Sequence, residues 1–133
     1  MITITLAIRT VSEANAHEHW RLRQRRAKAQ RSIAGVVVLA TLRGAGEHRV
    51  TPPCTVRLTR IAPSSGLDSD NLAGSQKHVR DGIADALGID DRDPRVTWFY
   101  DQERGPWGVR VRIEQQVIVP VRDMPSGPLT AGG

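Results

Sequence analysis

A chain of 133 residues with 39% hydrophobic content supports one ordinary globular core and is short for two. Nineteen Lys and Arg against fourteen Asp and Glu give a formal charge of +5, a balance that favours polyanionic partners such as nucleic acid without requiring them. The single cysteine, Cys54, excludes an internal disulfide and a multi-thiolate metal site. The longest apolar run, Ile33 to Leu42, is too short to span a bilayer, so the expectation is a soluble cytoplasmic protein with no membrane partner.

Ile2, Ile4, Leu6 and Ile8 alternate with Thr3, Thr5, Ala7 and Arg9, the period of a strand that buries one face. Asn15 with Glu18 three residues on has the form of a capping box, which predicts a long helix from about Ala16 towards Leu42. Within it, Gly35-Val36-Val37-Val38 places β-branched residues after a glycine and leaves a strand as the alternative for the far half. Gly44, Gly46, Pro52 and Pro53 mark a loop. Val56 and Leu58 then alternate with Arg57 and Thr59 as a second strand, which Pro63-Ser64-Ser65-Gly66 ends.

Helical spacing returns in Val79, Ile83, Ala86 and Leu87, for a helix that starts at Leu72 or a little later and stops at Gly88, where a left-handed cap is wanted. Val96, Trp98 and Tyr100 alternate in a third strand and Val109, Val111 and Ile113 in a fourth, joined as a hairpin through Gly105-Pro106. Pro125 to Gly133 is polar, glycine-rich and without periodicity. The predicted architecture is a two-layer α+β domain over residues 1–118, a mixed sheet of about four strands packed against two main helices, followed by a disordered tail over residues 119–133. The outer face of the sheet is left for a second copy to cover.

The carboxylates of this basic chain concentrate around Lys77. Asp68 and Asp70 are two apart, so in an extended segment they point the same way, about 6–7 Å from each other. Such a pair can share a hard cation, and Mg²⁺ needs only one or two protein carboxylates together with water and phosphate oxygens. Asp90 and Asp91 are candidates to complete the set, with Lys77 adding positive charge at a phosphate or leaving oxygen. The same residues also make ordinary turns and helix caps, and the residues alone leave both readings open. An EF-hand is excluded, because from Asp68 the loop would need glycine at Ala73 and glutamate at Val79. A helix over 76–87 is about 18 Å long, which sends Asp90 out at the end opposite Lys77 unless the chain path or a dimer interface reunites them.

Arg21, Arg23, Arg25, Arg26, Lys28 and Arg31 crowd the first half of the long helix, with His17, His19 and Trp20 at its start. This strip suits a DNA backbone; a solvated helix face whose arginine stems cover apolar surface is the alternative. The two histidines lack a third ligand for zinc. Trp98 reads as core, and Trp107, at the expected hairpin tip, is the better candidate for base stacking.

Asp68-Ser69-Asp70-Asn71-Leu72, then Lys77, Asp85-Ala86-Leu87, Gly88 and Asp90-Asp91, preceded by Ser12-x-x-Asn15 after the first strand, together resemble the RusA family of Holliday junction resolvases, small endodeoxyribonucleases common in phages and prophages. The resemblance covers residues 1 to about 118. It implies an Mg²⁺-dependent enzyme that acts as a homodimer and nicks two strands of branched DNA, with Asp68, Asp70 and Asp91 as metal-binding catalytic carboxylates, Asp90 as their neighbour and Lys77 as the catalytic lysine. This chain departs from the family pattern in about three extra residues around Ala73-Gly74-Ser75 and in a shorter link from helix to Asp90. A non-catalytic nucleic-acid-binding accessory protein on the same scaffold is the rival expectation, and a structural or interaction domain is the third.

Overall fold

Alternating apolar residues gather four strands into one mixed sheet, and the helices cover a single face of it. The computed structural model describes residues 1–12 and 19–116. Strand β1 (Ile2–Leu6) is followed by helix α1 (Trp20–Gly44), a 3-10 turn at Gly46–His48, strand β2 (Cys54–Ala62), helices α2 (Ser69–Ser75) and α3 (Lys77–Leu87), and strands β3 (Val96–Arg104) and β4 (Gly108–Gln115). The order across the sheet is β1-β4-β2-β3. β4 runs antiparallel to both β1 and β2, while β2 and β3 are parallel. This is the expected α+β two-layer fold, with α1 and α3 as the main helices and α2 as a short third.

One side chain in two from each strand faces the helices. Ile2, Leu6, Val56, Leu58, Val109, Val111 and Ile113 meet Ala34, Val38 and Leu42 of α1 and Val79 and Ile83 of α3 in one core. At about 25 cal/mol per Å² of apolar surface removed from water, burial of this kind is the main stabilising term. The opposite face carries Thr55, Arg57, Arg110 and Arg112, and there Asp101 accepts hydrogen bonds from Thr59 and from Arg57.

The hairpin expected between the last two strands does not form. β2 lies between them, because its residues are the most deeply buried of any strand and need a neighbour on each edge. β3, half-exposed along much of its length, takes the sheet edge. The Gly105-Pro106-Trp107 connection instead crosses the end of β2, where Gly105 N donates to Ala62 O at 3.0 Å. A Cβ on Gly105 would approach Ile61 Cγ2 to 2.9 Å, so glycine is required by the close crossing.

The helices also differ from expectation at their ends. α1 begins at Trp20, with His19 as N-cap: its Nδ1 accepts from Arg21 N at 3.1 Å. The capping box at Asn15 and Glu18, with His17, lies outside the described residues. The valines of residues 36–38 are helical, because Gln30, Ala34, Val38 and Leu42 recur every fourth residue on the buried face. The helix expected from about Leu72 starts earlier, at Ser69, and breaks in two at Gln76, whose φ of −101° and ψ of 1° end α2. Asp70 and Lys77 therefore do not share one continuous helical face. α1 and α3 meet backbone to backbone at Gly35 and Gly82. Residues 119–133, expected as a tail, lie outside the described residues.

Candidate functional site

The Asp68–Asn71 segment is a helix start held in place from elsewhere in the fold. Asp68 is the N-cap of α2: its Oδ1 accepts from Asn71 N at 2.9 Å and its Oδ2 from Asn71 Nδ2 at 3.1 Å. Ser12, beyond β1, donates from Oγ to Asn71 Oδ1 at 3.2 Å. Gln102 of β3 clamps the preceding residue, accepting from Leu67 N at 2.9 Å and donating to Leu67 O at 2.7 Å. Asp70 is exposed and makes no hydrogen bond or ion pair with a described residue. The capping reading of Asp68 is thus realised, and Asp70 is the carboxylate of the segment with no partner among the described residues.

The second acidic group lies along α3 and just past it. Lys77, Asp81 and Asp85 recur every fourth residue and so share one face of the helix. Lys77 Nζ is 3.3 Å from Asp81 Oδ2, and Arg31 of α1 binds Asp85 through two N–H···O contacts of 2.7 and 2.8 Å. These three α3 side chains, with Arg31, Asp90 and Asp91, border a polar cleft of about 370 Å³. The Arg31 guanidinium holds the Asp85 carboxyl below its ordinary value, while Asp85 first, and then Asp81 and Asp91, raise Arg31.

Gly88 closes α3 in the left-handed conformation at φ 72°, which turns the chain back so that Ile89 N reaches Ala84 O at 3.0 Å. The Asp90-Asp91 turn then comes under Arg80. That guanidinium stacks over Trp98, its carbon 4.6 Å from the ring centroid. It donates to Tyr100 OH at 2.8 Å and to Asp91 O at 2.5 Å, and its Nε is 3.8 Å from Asp91 Oδ2. Asp90 Oδ1 accepts from Arg92 N at 2.8 Å.

Lys77, Asp90 and Asp91 thus border one cleft, despite emerging at opposite ends of α3. Asp68 and Asp70 are not among the residues that line it. Among the described residues there is no group of three or more His, Cys, Asp or Glu side chains placed to hold a metal ion. The donor chemistry, all carboxylate, suits Mg²⁺, but one chain stops short of an all-protein cage. The fit rests on a cation that keeps most of its water and takes one or two carboxylates. Arg80 and Gln102, which fix the two acidic turns, were not legible as site residues. Their only trace was a polar residue within an otherwise apolar pattern.

Along α1, Arg21, Arg23, Arg25, Lys28 and Arg31 are exposed and Arg26 is half-buried. Arg31 is committed to Asp85. Arg21, Arg25 and Lys28 border a shallow cleft with Trp20, and Arg23 borders another with Lys77. The strip therefore reaches the lysine at the α1–α3 seam. Trp98 is partly buried against the core, as expected, and Trp107 sits on the crossover between guanidinium groups instead of at a hairpin tip.

No protein-family model matches the chain. It is 40% identical over 87 residues to an uncharacterized protein of Xylella fastidiosa, an alignment that takes in 59% of this chain and 52% of the relative. The chain therefore spans about half the length of the curated relative it matches.

Proposed function

We propose that this protein is an Mg²⁺-dependent endonuclease of the RusA type, cutting branched DNA at paired phosphodiesters. The observation that carries this reading is the anchoring of the Asp-x-Asp-Asn segment. Ser12 and Gln102, distant in sequence, fix the turn from two sides and leave Asp70 without a partner among the described residues. A solvated turn has no need of such support; a site that must hold its carboxylate within a fraction of an ångström does.

On this reading Asp70, with one or two of the other acidic residues Asp68, Asp90 and Asp91, would hold Mg²⁺ once the bound nucleic acid or a second copy brings Asp70 and the cleft that Asp90 and Asp91 border onto one cation. The metal supplies Lewis acidity, activating water and neutralising charge on the phosphoryl oxygens. Lys77 contributes positive charge at the same phosphate, held off by Asp81 until the nucleic acid arrives. Arg21, Arg23, Arg25, Arg26 and Lys28 track the backbone through contacts indifferent to sequence. A homodimer completes the arrangement: Ile33, Val36 and Val37 leave an apolar surface on α1, with Val36 66% exposed, which a second copy would cover. Among the described residues, no helix is long and apolar enough to cross a membrane.

The test incubates the protein with a labelled four-way junction, with and without Mg²⁺. Paired nicks that require the metal and fall at least 100-fold in Asp70→Asn and Asp91→Asn, with junction binding retained, are the expected result. Salt-sensitive junction binding by wild type without any nicking would overturn the enzyme and leave the accessory protein.

A further inference from the structure

Arg60 stands where the alternation of β2 asks for a hydrophobic side chain. Cys54, Val56 and Leu58 precede it on the helix-facing side, all fully buried, and Arg60 continues that row at 5% exposure. A cation so deeply placed ordinarily has a carboxylate against it. None of the described carboxylates pairs with this one. Arg60 Nε donates to Thr10 Oγ1 at 3.1 Å, and the guanidinium carbon lies 5.5 Å from the centroid of Trp107. The same ring has Arg9 at 4.8 Å, so two cations share one aromatic partner. Burial pushes the Arg60 guanidinium down from its ordinary value, with no described carboxylate to offset the lost solvent.

Arg60 borders a cleft of about 370 Å³ together with Ser64, Ser65, Gly66, Gln102 and Arg104. Glu103 is also on its rim, where it is neutralised by Arg110. Arg104 has no ion pair with a described residue, and the Ser64 and Ser65 hydroxyls make no hydrogen bond with one. The cleft therefore presents two guanidinium groups without a carboxylate partner and two hydroxyls without a hydrogen bond among the described residues, and its one lining carboxylate, Glu103, is taken by Arg110.

We propose that this cleft is an oxyanion site that takes a phosphate group, with Arg60 and Arg104 as its cationic jaws and Ser64 and Ser65 as hydroxyl donors. The phosphate comes from a nucleic-acid backbone or from a free phosphate ion. Its position favours the backbone. Thr10, which holds Arg60, and Ser12, which holds Asn71, are two residues apart, at most about 7 Å along the chain. The Ser64–Gly66 wall runs directly into Asp68. A phosphate gripped here would be a neighbour of the one presented to Asp70, so the backbone source rests on the nuclease reading, whereas the oxyanion site itself does not.

The test follows the Arg60 Nε–Hε resonance in ¹⁵N-labelled full-length protein, assigned by its absence from Arg60→Lys. All samples contain EDTA, so that no cleavage intervenes. One arm titrates inorganic phosphate and the other a short duplex oligonucleotide. Saturable displacement of the resonance by both, with affinity for each reduced roughly tenfold in the exposed variant Arg104→Ala, is the expected result. Displacement by phosphate alone supports the oxyanion site and overturns the backbone as its source. An Arg60 resonance indifferent to both ligands, or affinities unchanged in Arg104→Ala and in Ser64→Ala/Ser65→Ala, would overturn the site. A protein that nicks junctions while Arg60 ignores both ligands refutes this inference alone; a protein that never nicks while Arg60 responds refutes only the nuclease.

Discussion

Replacing Gly82 by alanine tests the seam on which the candidate site is built. A methyl group at this position would lie 2.3 Å from the backbone oxygen of Arg31 and 2.9 Å from Ala34 Cβ and Gly35 N, all on α1. Two of those atoms are backbone and have no rotamer to escape into. Relief requires α1 to withdraw from α3, loosening Ala34 and Val38 against Val79 and Ile83. Overpacking of this kind costs about 3 kcal/mol at the upper end of its usual range, and the gain in helix propensity from Gly to Ala offsets about 1. The expected net loss is about 2 kcal/mol, or a fall in Tm of about 6–10 °C for a domain of this size. Gly74→Ala is the control, since a methyl there meets nothing within 4 Å and α2 should gain up to about 1 kcal/mol. Urea unfolding followed by circular dichroism, at one fixed protein concentration because a dimer would shift the midpoint, measures both. A Gly82→Ala protein as stable as Gly74→Ala would refute the reasoning.

Asp93 should titrate at about 2, because Arg95 donates to it from both side chain and backbone, and Arg95→Ala should return it towards the ordinary carboxylate value; ¹³C-detected NMR titration reads both. For the Arg31–Asp85 pair the folded carboxyl is depressed, so its contribution is complete above the unfolded value of about 4 and disappears as the pH falls through the folded one. Both side chains are about half exposed, so Asp85→Asn should lose only about 0.2–1 kcal/mol at pH 7 and progressively less as the pH falls below the unfolded value, as seen in urea midpoints across an acid series. Cys54 is fully buried and its thiol is pushed up by burial, so it should react with a thiol reagent only at the rate of unfolding. Rapid labelling of the native protein would contradict that placement.

Period-two alternation in Ile2–Leu6 and in Val109–Ile113 was enough to find β1 and β4, and fourfold spacing in Val79–Leu87 enough to find α3. Their pairing was not readable. Short connections favour hairpins, and only the depth to which β2 is buried, on its helix-facing side throughout and on both faces over its last five residues, places it between β3 and β4. The break at Gln76 was hidden for a similar reason: Ala73-Gly74-Ser75 hints at a weak helix, but the turn depends on Gln76 being drawn into the interior. For the site, the cap at Asp68 and the turn at Asp90 follow from local chemistry. Whether Asp70 and Asp91 meet depends on the path between them and on any second chain, which no local pattern encodes. Arg60 went unread, because a charge two residues past Leu58 reads in sequence as the polar end of a strand, and only its burial shows that it continues the apolar row.

The order of the strands has a bearing on how the chain is made. β1 has a single neighbour, β4, and among the strands of the described residues β4 is the last to leave the ribosome. Until Gly108–Gln115 has been synthesised, Ile2, Ile4 and Leu6 have no register to join, and one flank of β2 stands open to any other extended chain. Nascent or C-terminally clipped forms are thus the species most prone to clump, and a holding chaperone would act in the interval before β4 arrives.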